Sequence, residues 1–153
     1  MKIAVGSDNS STMTMMLLKE LVDRGHEVFP KGPMVSGAPC RDWPLVAEEV
    51  ARSVAEGESD EGIVCCWTGT GVTIAANKVR GIRAALCGDA ETARSARIFN
   101  HANVLTLSMR ATSIPVMQEI LNAWFATPID SGEAMSEWNQ EQIRRIVELE
   151  GRR

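Results

Sequence analysis

The stretch Cys66-Trp67-Thr68-Gly69-Thr70-Gly71 gathers a thiol, two hydroxyls and two glycines into one short loop. It follows the apolar run Gly62-Ile63-Val64-Cys65-Cys66 and leads into Val72–Lys78, whose pattern predicts a helix. Glycines let backbone N–H groups turn inward, and at the start of a helix such groups converge on an anion. A cysteine beside a helix start has its thiolate favoured, which suits it to act as a base near neutral pH. Proton transfer beside a developing oxyanion is the chemistry that uses both features. The competing reading, a buried structural cysteine, fits Cys65 and Cys87 within their apolar runs; the position of Cys66 at a strand end sets it apart.

Two nucleotide readings are weaker. A phosphate-cradling P-loop ends in Gly-Lys-Ser/Thr, whereas this loop runs Gly71-Val72-Thr73. For a dinucleotide fingerprint, Gly69-x-Gly71 and the later Asp89 are in order, but Ile74 stands at the third glycine position and no substrate domain exists.

The elements that must position this loop read as alternating strands and helices. Lys2–Gly6 is strand-like, followed by the N-capping types Asp8, Asn9, Ser10 and Ser11 and a helix closed by Gly25. His26–Phe29 gives a second strand, and Asp42 with Pro44 opens a helix bearing Val46, Ala47, Val50, Ala51 and Val54 on one face. The run to Cys66 lacks polar alternation, as expected of a strand covered on both faces. Arg83–Cys87 precedes a helix opened by Asp89, and Val104–Ser108 precedes one opened by Ser113-Ile114-Pro115 with Met117, Ile120, Leu121 and Trp124 inward. The pattern implies an α/β fold: a single-domain, three-layer, doubly wound Rossmann-like sheet of five parallel strands with helices on both faces. A last helix, about 134–150, carries Trp138, Ile143, Ile146 and Val147 and packs on the sheet or on a second subunit. No repeat, low-complexity tract or linker interrupts it.

Bulk properties narrow the partners. A chain of 153 residues, 44% hydrophobic, supports one core and one domain spanning 1–153. Its apolar runs fall short of the roughly 20 residues of a membrane helix, so a soluble, unexported protein is expected. A net charge of −4 argues against a nucleic-acid surface and for a small-molecule partner. Cys40, Cys65, Cys66 and Cys87 lack the Cys-x-x-Cys spacing of zinc sites, which points to reduced thiols in the cytoplasm and to no metal. Cys65 and Cys66, adjacent on one strand, would face opposite sides of the sheet.

Cys66-x-Thr68-Gly69-x-Gly71, Ile74-Ala75-Ala76-Asn77-Lys78 and Gly81-Ile82-Arg83-Ala84-Ala85 together resemble the signature of ribose-5-phosphate isomerase B and the galactose-6-phosphate isomerase subunits. The likeness extends to Gly6-x-Asp8, to Asp42-Trp43-Pro44 where that family has Asp-Tyr-Pro, to Asn100 and Asn103, and to Arg110. It implies an isomerase without cofactors, forming a homodimer or a dimer of dimers, with each site completed by the neighbouring subunit. By the same resemblance Cys66 moves a proton between C1 and C2, Thr68 helps shift protons between O1 and O2, and the amides of Gly69, Thr70 and Gly71 hold the enediolate. Asp8, Asn9, Trp67, Asn100 and Arg110 complete the expected substrate contacts.

Departures from the resemblance bear on the substrate. The family's ring-opening histidine falls at Phe99, an aspartate at His101, and the histidine after the first-loop aspartate at Asn9. His101 is either a relocated acid or a loop histidine, since imidazole suits proton transfer near neutral pH. Two phosphate-gripping arginines fall at Glu133 and Glu137, where carboxylates would repel a phosphate by several kcal/mol in a partly buried site. Either the sugar is neutral or short, or Arg41, Arg94 or Arg97 has taken over the phosphate. Trp67 packs or lids the sugar, and Asp8 caps the first helix or binds a hydroxyl. The expected function is therefore aldose–ketose isomerisation through an enediolate, on a neutral or short sugar. A phosphosugar isomerase with a moved phosphate site and a non-catalytic sugar-binding subunit are the alternatives.

Overall fold

The computed structural model describes residues 1–35, 39 and 41–152. Five strands alternate with helices: β1 Lys2–Ser7, α1 Thr12–Asp23, β2 Glu27–Lys31, α2 Trp43–Ala55, β3 Glu61–Cys66, α3 Thr70–Ala76, β4 Ala84–Leu86, α4 Ala90–Asn100, β5 Val104–Ser108, α5 Ile114–Ala126 and α6 Glu137–Glu150. Short 3-10 turns lie at Gly32–Met34 and Gly132–Met135. All pairings are parallel and the strand order is β2-β1-β3-β5-β4. The expected doubly wound sheet is thus present.

Alternation along the strands divides the core. Ile3, Val5, Ile63, Cys65, Leu105 and Leu107 pack on one face with Leu17, Leu21, Met117, Ile120, Leu121 and Trp124. Ala4, Val64, Cys66 and Val104 pack on the other with Val46, Ala47, Val50 and Val72. Cys65 and Cys66 therefore do face opposite sides, as the two-residue period requires. Cys40 lies outside the described residues.

Several boundaries differ from expectation for local reasons. Ser11, and not Asp8, caps α1: its side chain accepts from Thr14 N–H while the Thr14 hydroxyl accepts from Ser11 N–H. Asp42 occupies the N-cap position of α2 but makes no side-chain capping bond. The third helix starts at Thr70, earlier than Val72, because left-handed Gly69 (φ 78°) serves as its N-cap. It stops at Ala76, where the Asn77 side chain turns to Ala84, donating to its carbonyl and accepting from its N–H, each at 2.9 Å. The last helix begins at Glu137 because Ser136 caps it, leaving Ala134 and Met135 in a separate turn. It packs against α4 and that turn, and Trp138 is 64% exposed.

Candidate active site

In this strand order the chain winds outward from β1 to β2 and then returns to β3, so the switch point lies between β1 and β3. Ligands of open α/β sheets bind at the carboxyl ends of the strands flanking such a point. Here those ends carry Ser7 and Asp8 on one side and Cys66 to Gly71 on the other.

Cys66 ends β3 with 6% of its surface exposed. Its carbonyl accepts from Met109 N–H, and the Trp67 carbonyl accepts from Arg110 N–H and from the Ser108 hydroxyl, all at 3.0 Å. The ends of β3 and β5 are thereby tied together, and Arg110 is brought beside the loop. The Thr68 and Thr70 hydroxyls lie 2.8 Å apart. The Gly69 carbonyl is turned away from the loop mouth into a bond from the Thr73 hydroxyl at 2.7 Å, and Thr73 is held at 2.5 Å by the buried hydroxyl of Thr106. With that carbonyl engaged below, the N–H groups of the following residues are free to face a ligand. Trp67, 62% exposed, stands at the rim.

Burial raises the Asp8 carboxyl above the usual carboxylate range, against a backbone hydrogen bond that lowers it. Asn9 is exposed, its N–H donating to the Ser7 hydroxyl at 3.4 Å. Burial also pushes up the thiols of Cys65 and Cys87, the latter to about 12. Both behave as core groups, as their apolar runs imply.

Two residues of this neighbourhood were not among the expected site residues, although Trp43 belongs to the Asp42-Trp43-Pro44 likeness. The ring of Trp43, 42% exposed, covers Gly71 so closely that a Cβ there would lie 3.1 Å from Cε3. Met109 reaches from the end of β5 to receive the Ser7 hydroxyl at 3.5 Å and the Ser11 hydroxyl at 3.7 Å. The place of Trp43 in Asp42-Trp43-Pro44 is the sign that could have singled it out, and Met109 had none.

Asn100 and His101 are not brought to Cys66 in the same chain. They end α4 at the amino-terminal side of the sheet, where Asn103 N–H donates to the Arg83 carbonyl. Ser108, level with Cys66, is separated from Asn103 by the length of β5, on the order of 16 Å at about 3.3 Å per residue. A cavity of about 610 Å³ lies at this opposite end, lined by Lys78, Arg80, Arg83, Asn100, Leu149 and Glu150 among others. His101 Nε2 is 2.8 Å from the Ala134 carbonyl; that oxygen only accepts, so this nitrogen carries a proton and Nδ1 is the one left for other partners.

The arginines expected as replacement phosphate ligands are each paired with a carboxylate. Arg97 is buried against Glu61 at 2.7 Å, which removes it as a ligand; Arg41 meets Glu49 at 2.5 Å, and Arg94 meets Glu91 at 3.4 Å and Glu133 at 3.8 Å. Glu133 and Glu137 are exposed. Among the described residues, no group of His, Cys, Asp and Glu is arranged to hold a metal ion, and no helix is long and apolar enough to cross a membrane.

A doubly wound sheet with a cysteine and a glycine loop at its switch point fits the sugar-isomerase resemblance drawn from the sequence. The ribose/galactose isomerase family profile matches residues 3–143. Ribose-5-phosphate isomerase B of Escherichia coli is 37% identical over 153 residues, covering 99% of this chain and 98% of that one. D-erythrulose-4-phosphate isomerase of Pectobacterium atrosepticum is 32% identical over 140 residues, covering 86% and 87%. The structure of Clostridium thermocellum ribose-5-phosphate isomerase B superposes with a TM-score of 0.88 at 35% identity, covering 99% of each chain. The chain belongs to the ribose/galactose isomerase family, and its reaction class is intramolecular aldose–ketose oxidoreduction.

Proposed function

We propose that this isomerase works through Cys66. Its thiolate takes the proton from C2 of an open-chain aldose, leaving an enediolate, and the thiol returns a proton to C1 to give the ketose. Meanwhile a proton passes from O2 to O1 with help from the Thr68 hydroxyl. The loop amides of Gly69, Thr70 and Gly71 carry the oxyanion, and groups placed where charge develops are the largest contribution such a reaction uses. The observation that carries this reading is the position of Cys66, 6% exposed, at the end of β3, beside the switch point and opening the glycine loop. Asp8, Asn9 and Trp67 receive hydroxyls or the sugar face. A second copy of the chain completes the site with Asn100 and His101, whose Nδ1 serves ring opening in place of the histidine that Phe99 replaces. Homodimers, or dimers of dimers, are the working unit. Cys65, Cys66 and Cys87 are free thiols, which fits the reducing cytoplasm.

For the substrate we infer a neutral or short sugar. By the resemblance drawn from the sequence, Glu133 and Glu137 fall at the positions of phosphate-gripping arginines, and Arg41, Arg94 and Arg97 are engaged with carboxylates. The relatives, by name, act on phosphorylated pentose and tetrulose, so chain length varies among them. One observation favours a second reading, a phosphosugar held by Arg110: this exposed arginine is tied to the loop through its own N–H. Incubating the protein with neutral and phosphorylated aldoses and ketoses in deuterated water tests the function itself. Deuterium is expected at C1 or C2, and no exchange across the panel would overturn isomerisation.

A further inference from the structure

His101 is the only non-glycine residue with positive φ among the described residues, at φ 46° and ψ 42°. L side chains disfavour this conformation, and it persists where its surroundings over-determine it. Here they do. Arg83 Nε donates to the His101 carbonyl at 2.9 Å, Arg97 Nη1 donates to the Ala102 carbonyl at 2.6 Å, and the His101 ring is fastened to the Ala134 carbonyl.

Arg97 is itself fixed from several sides. Its Nη2 lies 2.7 Å from one Glu61 oxygen, its Nε donates to the Thr127 carbonyl at 3.1 Å, and its guanidinium carbon sits 4.9 Å from the Trp124 ring centroid. The Trp124 indole N–H donates to the other Glu61 oxygen at 2.5 Å. Both charged side chains are 7% exposed. A buried ion pair of this kind is often no more stabilising than apolar residues of the same volume. What the pair does supply is direction, because the planar fork fixes the donor aimed at Ala102 relative to those on Glu61 and Thr127.

We infer that Arg97, aimed by Glu61 and Trp124, is a positioning residue: it sets the Asn100–His101 turn in the shape that completes the reaction site of a second copy of the chain. The inference rests on the shared-site reading above. The turn is too far from Cys66 of its own chain to act there, and Asn100 is exposed.

The test uses two variants. Arg97→Lys keeps the charge opposite Glu61 but loses the fork; the double variant Glu61→Leu, Arg97→Met removes both charges together, so neither is left buried alone. Exchange is followed in deuterated water with D-erythrose, D-ribose and their 4- and 5-phosphates, using the sugar on which the wild type is fastest. Both variants are expected to melt cooperatively, with kcat lowered tenfold or more and KM within threefold. Each is then unfolded and refolded in equal mixture with Cys66→Ala. If the turn serves the other subunit, half of the dimers formed by random pairing are hybrids with one intact site, and roughly a quarter of wild-type activity returns. Asn100→Ala mixed with Cys66→Ala is the control for the shared site. If that control regains activity and the Arg97 variants do not, or if they keep wild-type kcat, the role of Arg97 is overturned. If no mixture regains activity, or the wild type exchanges none of these sugars, the shared-site or isomerase reading falls and takes the Arg97 role with it.

Discussion

Gly69 lies against Leu86 with space for a hydrogen only: a Cβ there would come within 2.5 Å of Leu86 Cδ1 and 3.1 Å of the Leu107 carbonyl. The residue also holds φ at 78°, where L side chains are strained. Gly69→Ala is therefore expected to destabilise by about 2–4 kcal/mol, from left-handed strain and overpacking together. Leu107 offers backbone, which cannot yield, so the loop must move. Urea unfolding should show the loss, and turnover should fall further than the remaining folded fraction accounts for.

Adjacent cysteines should separate chemistry from packing. Cys66→Ala is expected to abolish exchange, a loss of at least about 10²-fold, while unfolding stays within about 1 kcal/mol of wild type. Cys65→Ala empties part of the core and should cost about 1–2 kcal/mol with exchange largely kept. Wild-type turnover in Cys66→Ala would remove this residue from the mechanism.

Thiol labelling follows the same division. At pH 8 in native conditions iodoacetamide should modify Cys66, 6% exposed, before Cys65 and Cys87, which are 0% and 1% exposed and whose thiols burial pushes up. Peptide mass mapping reads each site separately. Earlier labelling of Cys87 would contradict the burial that raises it to about 12.

Stability should depend on pH through His26. Burial lowers its pKa, and its ring is 4.4 Å from that of Phe125. An imidazole depressed in the fold binds fewer protons there than in the unfolded chain, so stability rises with pH through this range. Its share is complete above the ordinary value of about 6.5 and is lost as pH falls through the lower folded value. Urea midpoints from pH 8 to pH 5 should decline, and His26→Phe should flatten that part of the decline.

The substrate is decided by kcat/KM for D-ribose 5-phosphate against neutral tetroses, pentoses and hexoses. A neutral sugar is expected to lead. An advantage of tenfold or more for the phosphate ester, about 1.4 kcal/mol in transition-state binding, would replace the neutral-sugar reading with the one based on Arg110.

What the sequence revealed and what it hid divide by distance along the chain. Cys66 to Gly71 was legible because a strand end, two glycines and a helix start follow one another directly. Apolar runs gave the strands, and the spacing of Met117, Ile120, Leu121 and Trp124 gave the buried face of α5. Contacts between distant residues left no local trace. Trp43 over Gly71, Thr106 beneath Thr73 and Trp124 bonded to Glu61 all depend on sheet order and register. Helix starts were legible where one capping type stands alone, as Asp89 and Ser113 do, but four capping types precede α1 and only the folded geometry selects Ser11, whose side chain and N–H pair with Thr14.

The bond pair between Asn77 and Ala84 has a consequence beyond ending a helix. β4 is the outermost strand of the sheet on its side, and strands in that position can recruit a stranger's backbone and seed ordered aggregates. At Ala84 both backbone groups are already satisfied by a carboxamide that mimics a neighbouring strand. A single side chain thus covers the Ala84 stretch of this sheet margin. Asn77→Ala would reopen it, giving a protein more prone to clump on gentle warming than its lost stability explains.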